Sequence, residues 1–453
     1  MEPLNLQTEG DINFSDERRR WNNQITDPLT LRLLDDDARY FLHQSMSSPC
    51  LDVLAGCNGS ALETLSGRRI LDFHGNNVHQ VGYGNDFVIG RLIRQLHQLP
   101  FSPRRYTNQP AIELAKKLAG LLPSDLNRSL FAPGGTSAID MAIKLARVVT
   151  GKHKLVSVQD SFHGASLDAI SAGDEEAFKK YMGPLLPGVF HIPGPSSYRG
   201  IFGEDENGQL RYAGLLEEII EKEGDIGAFL VETVRNTDVQ IPSLAYWQKI
   251  REICTTHGVL LILDEIPIAL GRTGKMFAFE NFGIEPDILC LGKGLGGGII
   301  PIAAMIARDS YNVAKNVSLG HYTHEKSPLG CAAALATLEF IDRENILQKV
   351  MDDGLWLKRE LERLKECFPL IGDIRGMGLL WGLELVKDPL TKKKADTEAE
   401  IIMYECLRNG LNFKVSQGNV IQLSPTLTIN REELQLAMSI LTDAFKKYSV
   451  QHS

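Results

Sequence analysis

The sequence predicts an α/β protein with a large, mainly parallel sheet domain and a smaller α+β lobe at its C-terminal end. From about residue 129 onward, short apolar runs alternate with amphipathic helical patterns, which is typical of a parallel sheet covered by helices. At 453 residues the chain also exceeds the size at which one hydrophobic core usually keeps growing. We therefore expect an N-terminal segment over residues 1–70 that packs with the small domain, a large domain over 71–330 and a small domain over 331–453.

The candidate strands are short runs without alternating polarity, as expected for strands buried on both faces of a parallel sheet. They are Leu130 to Ala132, Leu155 to Val158, Ala228 to Val231, Val259 to Leu263, Ile288 to Leu291 and Ile302 to Ile306. After Gly134 and Gly135, apolar residues recur at helical spacing from Ile139 to Ala146, so a helix is predicted whose N-terminus faces those glycines.

The C-terminal lobe is predicted from a change of pattern past Leu329. The sequence there indicates a helix through Leu357 to Leu364, a strand from Gly378 to Leu385 and a closing helix from Arg431 to Lys447. These elements are expected to form a separate, smaller core.

Charge and cysteine content exclude several classes of function. A net charge of -9 argues against a nucleic-acid surface, which needs clustered Lys and Arg. The seven cysteines are scattered and never spaced as CxxC, so neither a disulfide framework nor a thiolate zinc site is indicated. The N-terminal segment lacks the apolar core of a signal peptide, and no apolar run is long enough to span a bilayer. We expect a cytoplasmic protein with no membrane or nucleic-acid partner.

Asp264 and Lys293 are the most informative pair of residues. Asp264 ends an apolar strand, and Lys293 follows the next strand among glycines. Alone, an aspartate at the end of a strand is more often a helix cap or a solvated turn residue, and a lysine among glycines usually belongs to a plain loop. Together they match pyridoxal 5′-phosphate (PLP), which needs a lysine amine to condense with its aldehyde and a carboxylate to keep its pyridine nitrogen protonated. Lys293 is thus the candidate catalytic residue.

Two further segments supply what such a cofactor requires. The glycine-rich turn at Gly135 and Thr136 enters the predicted helix, where backbone N–H groups and the helix dipole favour a phosphate. Phe162 follows a strand and could stack on a pyridine ring, although an isolated Phe is usually a core residue. His163 has no second ligand at a workable spacing, so we expect a hydrogen-bonded loop histidine and no metal.

Seven segments in order resemble the class III aminotransferases over roughly residues 65 to 440. They are FAPGGTSAIDMAIKLAR, SFHGAS, VET, LDEIPIALGRTG, PDILCLGKGLGGGIIPIAA, HYTHEKSPLGCAAALATL and IRGMGLLWGLEL. The resemblance implies the fold type I architecture of PLP-dependent transferases and a homodimer, or a dimer of dimers, with active sites at the subunit interface.

The resemblance also assigns roles residue by residue. Lys293 would carry the cofactor and shuttle protons, and Asp264 would face the pyridine nitrogen. Phe162 would stack on the ring, Gly135 and Thr136 would hold the phosphate, and Glu232 in the VET segment would contact the cofactor. Thr323 would reach the cofactor phosphate of the neighbouring subunit; a plain loop hydroxyl is the equal alternative.

Departures from the family pattern concern the substrate. Pro267 stands where the family usually has a glutamine, and Gln422 stands where the usual arginine clamp for a keto-acid carboxylate is expected. Arg235 is an added cation after Glu232, and we predict that it contacts the substrate, with Gln422 nearby. Arg104, Arg105 and Lys326 lie in segments that line this kind of pocket, but for each a surface salt bridge is the simpler interpretation.

These departures favour elimination over transamination. The sequence most resembles the branch that removes ammonia from a small phosphonate amine, (R)-1-hydroxy-2-aminoethylphosphonate, to give phosphonoacetaldehyde. The alternatives are an ω-aminotransferase acting on an aminophosphonate or another ω-amine with a keto-acid acceptor, and a non-catalytic PLP-binding protein. Turnover without keto acid would single out the lyase.

Overall fold

The computed structural model describes residues 15–44, 47–48, 50–123 and 125–452. The predictions for residues 1–14 lie outside the described residues. Within the described residues, no helix is long and apolar enough to cross a membrane.

The strands fall into three sheets. In chain order they are β1 (Leu54–Asn58), β2 (Ala61–Thr64), β3 (Arg69–Asp72), β4 (Leu126–Ala132), β5 (Lys154–Val158), β6 (Val189–Ile192), β7 (Ile226–Glu232), β8 (Leu260–Asp264), β9 (Ile288–Leu291), β10 (Ala303–Arg308), β11 (Ile371–Met377), β12 (Leu380–Asp388), β13 (Lys393–Lys394), β14 (Leu411–Asn412), β15 (Lys414–Ser416) and β16 (Val420–Leu423).

The helices surround these sheets. They are α1 (Asp16–Asn22), α2 (Pro28–Tyr40), α3 (Asp86–Gln98), α4 (Gln109–Leu121), α5 (Gly135–Thr150), α6 (Leu167–Ala172), α7 (Glu176–Lys179), α8 (Glu206–Glu223), α9 (Leu244–His257), α10 (Pro328–Arg343), α11 (Ile346–Cys367), α12 (Asp396–Arg408) and α13 (Arg431–His452).

The large sheet has seven strands in the order β4-β10-β9-β8-β7-β5-β6. Neighbouring strands from β9 to β6 are parallel, whereas β10 is antiparallel to both β9 and β4. The predicted α/β class with a mainly parallel sheet is confirmed. Strands β7, β8 and β9 are buried along their whole length because helices cover both faces of the sheet.

One predicted strand differs from expectation. Leu130 was expected to be buried on both faces, but β4 is the edge strand of the sheet and Leu130 is 39% exposed. Exposed and buried residues alternate along β4, because helices do not cover its outer face fully.

The C-terminal part forms an antiparallel sheet in the order β11-β12-β16-β15, with β13 paired to β12. The N-terminal strands form a third sheet in which β14 pairs with β3 in parallel, so residues near 70 and 411 lie side by side. Trp21 of α1 packs with Tyr404 and Leu407 of α12 in a small apolar cluster. The N-terminal segment therefore packs on C-terminal elements; the exact domain boundaries stay a prediction.

Candidate active site

Five loops that leave the large sheet at one edge converge on a single cavity. Because β10 is antiparallel to β4 and β9, the strands β4, β5, β7, β8 and β9 all point the same way. Their carboxyl ends carry the predicted residues, as expected for ligand sites in open α/β sheets. The cavity has a volume of about 690 Å³, and its lining includes Gly135, Thr136, Phe162, His163, Glu232, Asp264, Pro267 and Lys293.

Asp264 is fixed at the end of β8 by two hydrogen bonds. Its Oδ2 lies 2.8 Å from Nδ1 of His163, and its Oδ1 accepts the N–H of Ile266 at 3.0 Å. Nε2 of His163 lies 3.4 Å from the Ser157 hydroxyl, so the imidazole is held at both nitrogens. With 2% of its surface exposed, Asp264 presents a preoriented carboxylate to the cavity. His163 is hydrogen-bonded, as predicted.

The N-terminus of α5 faces the cavity at Gly135 and Thr136. Gly134, the N-cap, offers no side-chain oxygen, so the first N–H groups of this 16-residue helix are available to an anion. The Thr136 hydroxyl accepts the N–H of Ala165 at 3.3 Å, which ties the helix start to the loop after β5. Gly164 in that loop has a φ of +133°, and a Cβ there would lie 2.5 Å from the Thr136 hydroxyl oxygen.

Lys293 opens a short 3-10 turn that runs from Lys293 to Gly296 after β9. Its φ is +45°, an uncommon backbone conformation for a residue with a side chain, and such conformations gather at functional sites. The turn packs closely on the protein: a Cβ at Gly294 would lie only 1.9 Å from Oε1 of Gln80. Close packing on Gln80 therefore explains why the residue after Lys293 is a glycine.

Phe162 lines the cavity beside Gly164. Its ring centroid lies 4.7 Å from that of Phe178, with an angle of 46° between the planes. The aromatic neighbour restrains the ring, and the predicted stacking on a pyridine stays a prediction.

Glu232 ends β7 and pairs in register with Asp264 of β8. Its Oε2 accepts the N–H of Asn236 at 3.0 Å, whereas its buried Oε1 has no hydrogen-bond partner among the described residues. Burial raises the pKa of Glu232, and the neighbouring Asp264 carboxylate raises it further, while His163 acts in the opposite direction. A buried carboxyl of this kind favours its protonated form.

The structure separates the two predicted substrate residues from this cavity. Arg235 lines a neighbouring cavity, where its Nε lies 3.3 Å from Oδ1 of Asp238. Gln422 is 1% exposed and donates its amide to the carbonyl of Asn236 at 2.8 Å. Neither residue lines the cavity that holds Lys293. Their contact with the substrate stays a prediction.

The remaining predicted residues do not line the cavity. Thr323 is exposed and does not line the cavity within one chain, and its role toward a neighbouring subunit stays a prediction. Nε of Arg104 lies 3.8 Å from Glu325, which is the simpler surface ion pair expected for it. Arg105 is exposed and Lys326 is partly buried.

Sequence reasoning missed several polar residues of the cavity wall, among them Arg18, His74, Asn77 and Lys414. Arg18 is buried at 2% exposure although it stands in a run of charged residues. The one available signal was Lys414, a cation between the apolar residues Phe413 and Val415. The others come from remote segments that only the tertiary structure brings to the site.

The chemistry of the wall fits PLP. A fixed carboxylate, a lysine, an aromatic ring and an uncapped helix N-terminus face one cavity, and they match the pyridinium, the aldehyde, the ring face and the phosphate of that cofactor. Among the described residues, no group of three or more His, Cys, Asp or Glu side chains could hold a metal ion.

Comparison with known proteins agrees with this geometry. Residues 45–445 match the family model described as aminotransferase class III. The chain is 54% identical, over 99% of its own length and 96% of the relative's, to the (R)-1-hydroxy-2-aminoethylphosphonate ammonia-lyase of Vibrio splendidus. It is 31% identical to the isoleucine 2-epimerase of Lentilactobacillus buchneri over 91% of this chain and 94% of that protein.

Solved structures show the same fold. The PLP-bound amine transaminase from an uncultivated Pseudomonas species superposes with a TM-score of 0.85 at 30% identity, covering 90% of this chain and 98% of that one. A thermostable ω-transaminase variant gives a TM-score of 0.88 at 26% identity, covering 93% of this chain and 100% of that one. The chain therefore belongs to the class III aminotransferase family and is a PLP-dependent enzyme with the fold type I architecture.

Proposed function

We propose that this enzyme is an ammonia-lyase that converts (R)-1-hydroxy-2-aminoethylphosphonate to phosphonoacetaldehyde and ammonia. The observation that carries the proposal is the 54% identity, over nearly the whole of both chains, to the Vibrio splendidus enzyme with that activity. The cavity that holds Lys293 and Asp264 supplies the matching site.

Lys293 is the residue that moves protons. PLP, when bound, would supply an aldehyde for the substrate amine and an electron sink for the carbon that bears the nitrogen. Lys293 Nζ then serves as the base that removes a proton from that carbon, a role that needs a lysine inside the cavity. The short turn and its close packing on Gln80 fix where the lysine backbone lies.

Asp264 and His163 support this step by electrostatics. The Asp264 side chain, held by His163 and by the N–H of Ile266, would face the pyridine nitrogen. The N-terminus of α5 would bind the phosphate at Gly135 and Thr136. Preoriented groups avoid the cost of reorganisation during the reaction.

The wall of the cavity favours an anionic substrate. Besides the cofactor-facing lysine, the cationic side chains in its lining are Arg18 and Lys414. Lining carboxylates are Asp264, which is committed to His163, and Glu232, whose pKa is raised. Two cations suit the doubly charged phosphonate group.

An ω-aminotransferase is the second candidate, because the structural relatives with TM-scores of 0.85 and 0.88 are transaminases. Such an enzyme must bind the carboxylate of a keto acid, and Gln422, which stands at the predicted clamp, is buried against Asn236. This arrangement favours the lyase.

We further propose that the enzyme works in the cytoplasm as a homodimer or a dimer of dimers. All seven cysteines are unpaired, which suits a reducing compartment. Thr323 is exposed, as a residue offered to a neighbouring subunit would be.

A spectroscopic experiment distinguishes the two candidate reactions. PLP-loaded enzyme is mixed with the aminophosphonate in the absence of any keto acid, and the cofactor spectrum is followed. A lyase keeps its starting spectrum after turnover, whereas stoichiometric conversion to the pyridoxamine form would identify an aminotransferase.

A further inference from the structure

The charged side chains in the wall of the active-site cavity are separated by sign. The acidic residues of its described lining are Glu232 and Asp264, which end the neighbouring strands β7 and β8 of the large sheet. Its lysines and arginines other than Lys293 are Arg18 of α1 and Lys414 of β15, which lie outside that sheet. A substrate in the cavity therefore meets negative charge at the large sheet and positive charge at the N-terminal helix and the C-terminal sheet.

Helix α1 is held against the cavity by Trp21. The indole Nε1 donates to the carbonyl of Leu51 at 2.9 Å, and the ring packs with Tyr404 and Leu407. All three of these partners line the cavity. Arg18 precedes Trp21 by three positions, so the two side chains lie on the same face of the helix. The anchored tryptophan therefore turns the face of α1 that carries Arg18 toward the cavity.

Burial sets Arg18 apart from the other arginines of α1. Arg18 is 2% exposed, whereas the side chains of Arg19 and Arg20 are 67% and 66% exposed and pair with acids of the same helix. A charge held out of bulk water attracts an opposite charge more strongly, because the local dielectric constant is low. Arg18 can therefore contribute more to the binding of an anion than a surface arginine.

Lys414 reaches the cavity from the C-terminal sheet. It pairs in register with Gln422 of β16, and directly opposite residues of an antiparallel pair have side chains on the same face, with Cβ atoms roughly 4.5–5.5 Å apart. Gln422 uses that face to donate to the carbonyl of Asn236, which lines the cavity. The Lys414 side chain therefore lies on the sheet face that is turned toward the active site.

A short chain of contacts links β15 to the catalytic lysine. Asn412, two residues before Lys414, donates its amide to Oδ1 of Asp72 at 2.8 Å. The same oxygen accepts the N–H of the first residue of the 3-10 turn Gly75–Asn77. That turn packs against the 3-10 turn Lys293–Gly296. The start of β15 is thereby held close to the turn that carries the lysine.

We propose that Arg18 and Lys414 bind the phosphonate group of the substrate and thereby determine which amines the enzyme accepts. This inference rests on the proposed function, because it takes the substrate to be a small aminophosphonate. The amine must lie at Lys293, and the phosphonate stands two carbons away from the amine nitrogen, toward the wall that carries the two cations. A guanidinium can bind two phosphonate oxygens at once, and an ammonium group adds a point charge.

The pair of cations also gives a reason for selectivity. A phosphonate carries up to two negative charges on three oxygens, so it can contact Arg18 and Lys414 together. An amine of the same length without an anionic group gains from neither contact. The affinity of the enzyme for small amines should therefore depend on the phosphonate, and this dependence should disappear when the cations are removed.

Binding of two amines that lack the leaving group tests this role. 2-Aminoethylphosphonate keeps the phosphonate, propylamine lacks it, and neither carries the hydroxyl group that is eliminated. At saturating PLP, the dissociation constant of each amine is measured from the change in cofactor absorption. We expect Arg18→Met and Lys414→Met each to weaken binding of 2-aminoethylphosphonate about 10 to 100-fold and binding of propylamine less than about threefold. Arg18→Lys should recover part of the loss, because the positive charge remains.

Arg20→Met and Lys393→Met are the matched controls, since Arg20 is an exposed arginine of the same helix and Lys393 is an exposed lysine in a strand. Both controls should bind the two amines as wild type does. Equal losses of affinity for both amines in Arg18→Met and Lys414→Met, or no loss for either amine, would overturn the role of the two cations.

The lyase reaction can fail separately from this binding site. Wild type that releases no ammonia from the hydroxyl compound would overturn the proposed lyase. If Arg18→Met and Lys414→Met still lose affinity for 2-aminoethylphosphonate and not for propylamine, the phosphonate site stands, and the enzyme carries out another reaction on an aminophosphonate.

Discussion

His163 positions the carboxylate of Asp264 rather than touching the reacting atoms. The 2.8 Å contact between Nδ1 and Oδ2 joins two residues 101 positions apart, and both side chains are almost fully buried. A charge-assisted hydrogen bond of this kind contributes about 1.5–3 kcal/mol. The histidine therefore sets the orientation of the group that faces the cofactor nitrogen.

We predict that His163→Leu lowers kcat about 10 to 100-fold, because the Asp264 carboxylate loses the donor that orients it. His163→Asn keeps a donor near the position of Nδ1 and should recover part of the loss. The measurement is kcat for both variants together with the absorption maximum of the bound cofactor. Equal activity of His163→Leu and wild type would contradict the positioning role.

Glu265 provides a test of stability against pH. Burial raises its pKa to about 7, although three hydrogen bonds act in the opposite direction. Because the unfolded chain ionises this group near its ordinary value of 4.5, the folded state loses stability as pH rises from about 4.5 to about 7, by about 3 kcal/mol in all.

We therefore predict that the free energy of unfolding falls less steeply between pH 5 and 7 in Glu265→Gln than in wild type. Denaturant unfolding at several pH values measures it. Parallel curves for the two proteins would show that Glu265 does not titrate in this range.

At the scale of residues, the sequence was sufficient to place a site residue when its position depends only on the strand next to it in the chain. Asp264 is the last residue of β8 and Lys293 follows β9 after one glycine, so their positions follow from the strand pattern. Arg235 and Gln422 could not be placed in this way. Gln422 turns toward Asn236, which is 186 positions away, and Arg235 turns toward Asp238. Such choices depend on tertiary packing.

At the scale of elements, the loop after β5 holds the N-terminus of α5. Gly164 has a φ of +133° and leaves no room for a side chain beside Thr136. A substituent at Gly164 must displace either the loop or Thr136, and both line the cavity.

We predict that Gly164→Ala weakens PLP binding at least tenfold, because the phosphate loses its aligned N–H donors. Gly151→Ala is the control: Gly151 also has a positive φ, +69°, but an added Cβ would meet nothing within 4 Å. Gly151→Ala should lower the free energy of unfolding and leave the affinity for PLP unchanged. Equilibrium titration with PLP measures the affinity of both variants. Equal affinities of Gly164→Ala and Gly151→Ala for PLP would contradict the proposed phosphate site.

The order of the elements along the chain was largely predictable, but the identity of the strand at the edge of the sheet was not. Continuous apolar runs located β5, β7, β8 and β9, because each of these strands is buried on both faces. The exposed face of β4 reflects its position at the edge, which depends on pairing with a strand more than 170 residues later in the chain. Single-sequence patterns do not carry that pairing.

At the scale of the whole molecule, the active-site cavity joins distant parts of the chain. Arg18 comes from α1, and Lys414 comes from β15, the start of the last strand pair. The parallel pairing of β14 with β3 holds these ends together. The composition of the wall therefore depends on the complete fold.

Assembly should complete the cofactor site. We predict that Thr323→Ala weakens PLP binding about 10 to 100-fold, because a hydrogen bond to the phosphate of the neighbouring subunit is lost, while the dimer stays intact. PLP titration and light scattering measure the two properties. Unchanged affinity, or a monomer in wild type, would contradict the predicted contribution of Thr323.

The central claim is tested most directly by ammonia release. PLP-loaded enzyme is mixed with (R)-1-hydroxy-2-aminoethylphosphonate without any keto acid, and ammonia is measured with a coupled enzyme, with Lys293→Ala as the control. We predict many equivalents of ammonia per active site from wild type and none above background from Lys293→Ala. Absence of ammonia from wild type, together with conversion of the cofactor to its pyridoxamine form by another amine, would contradict the lyase and identify an aminotransferase.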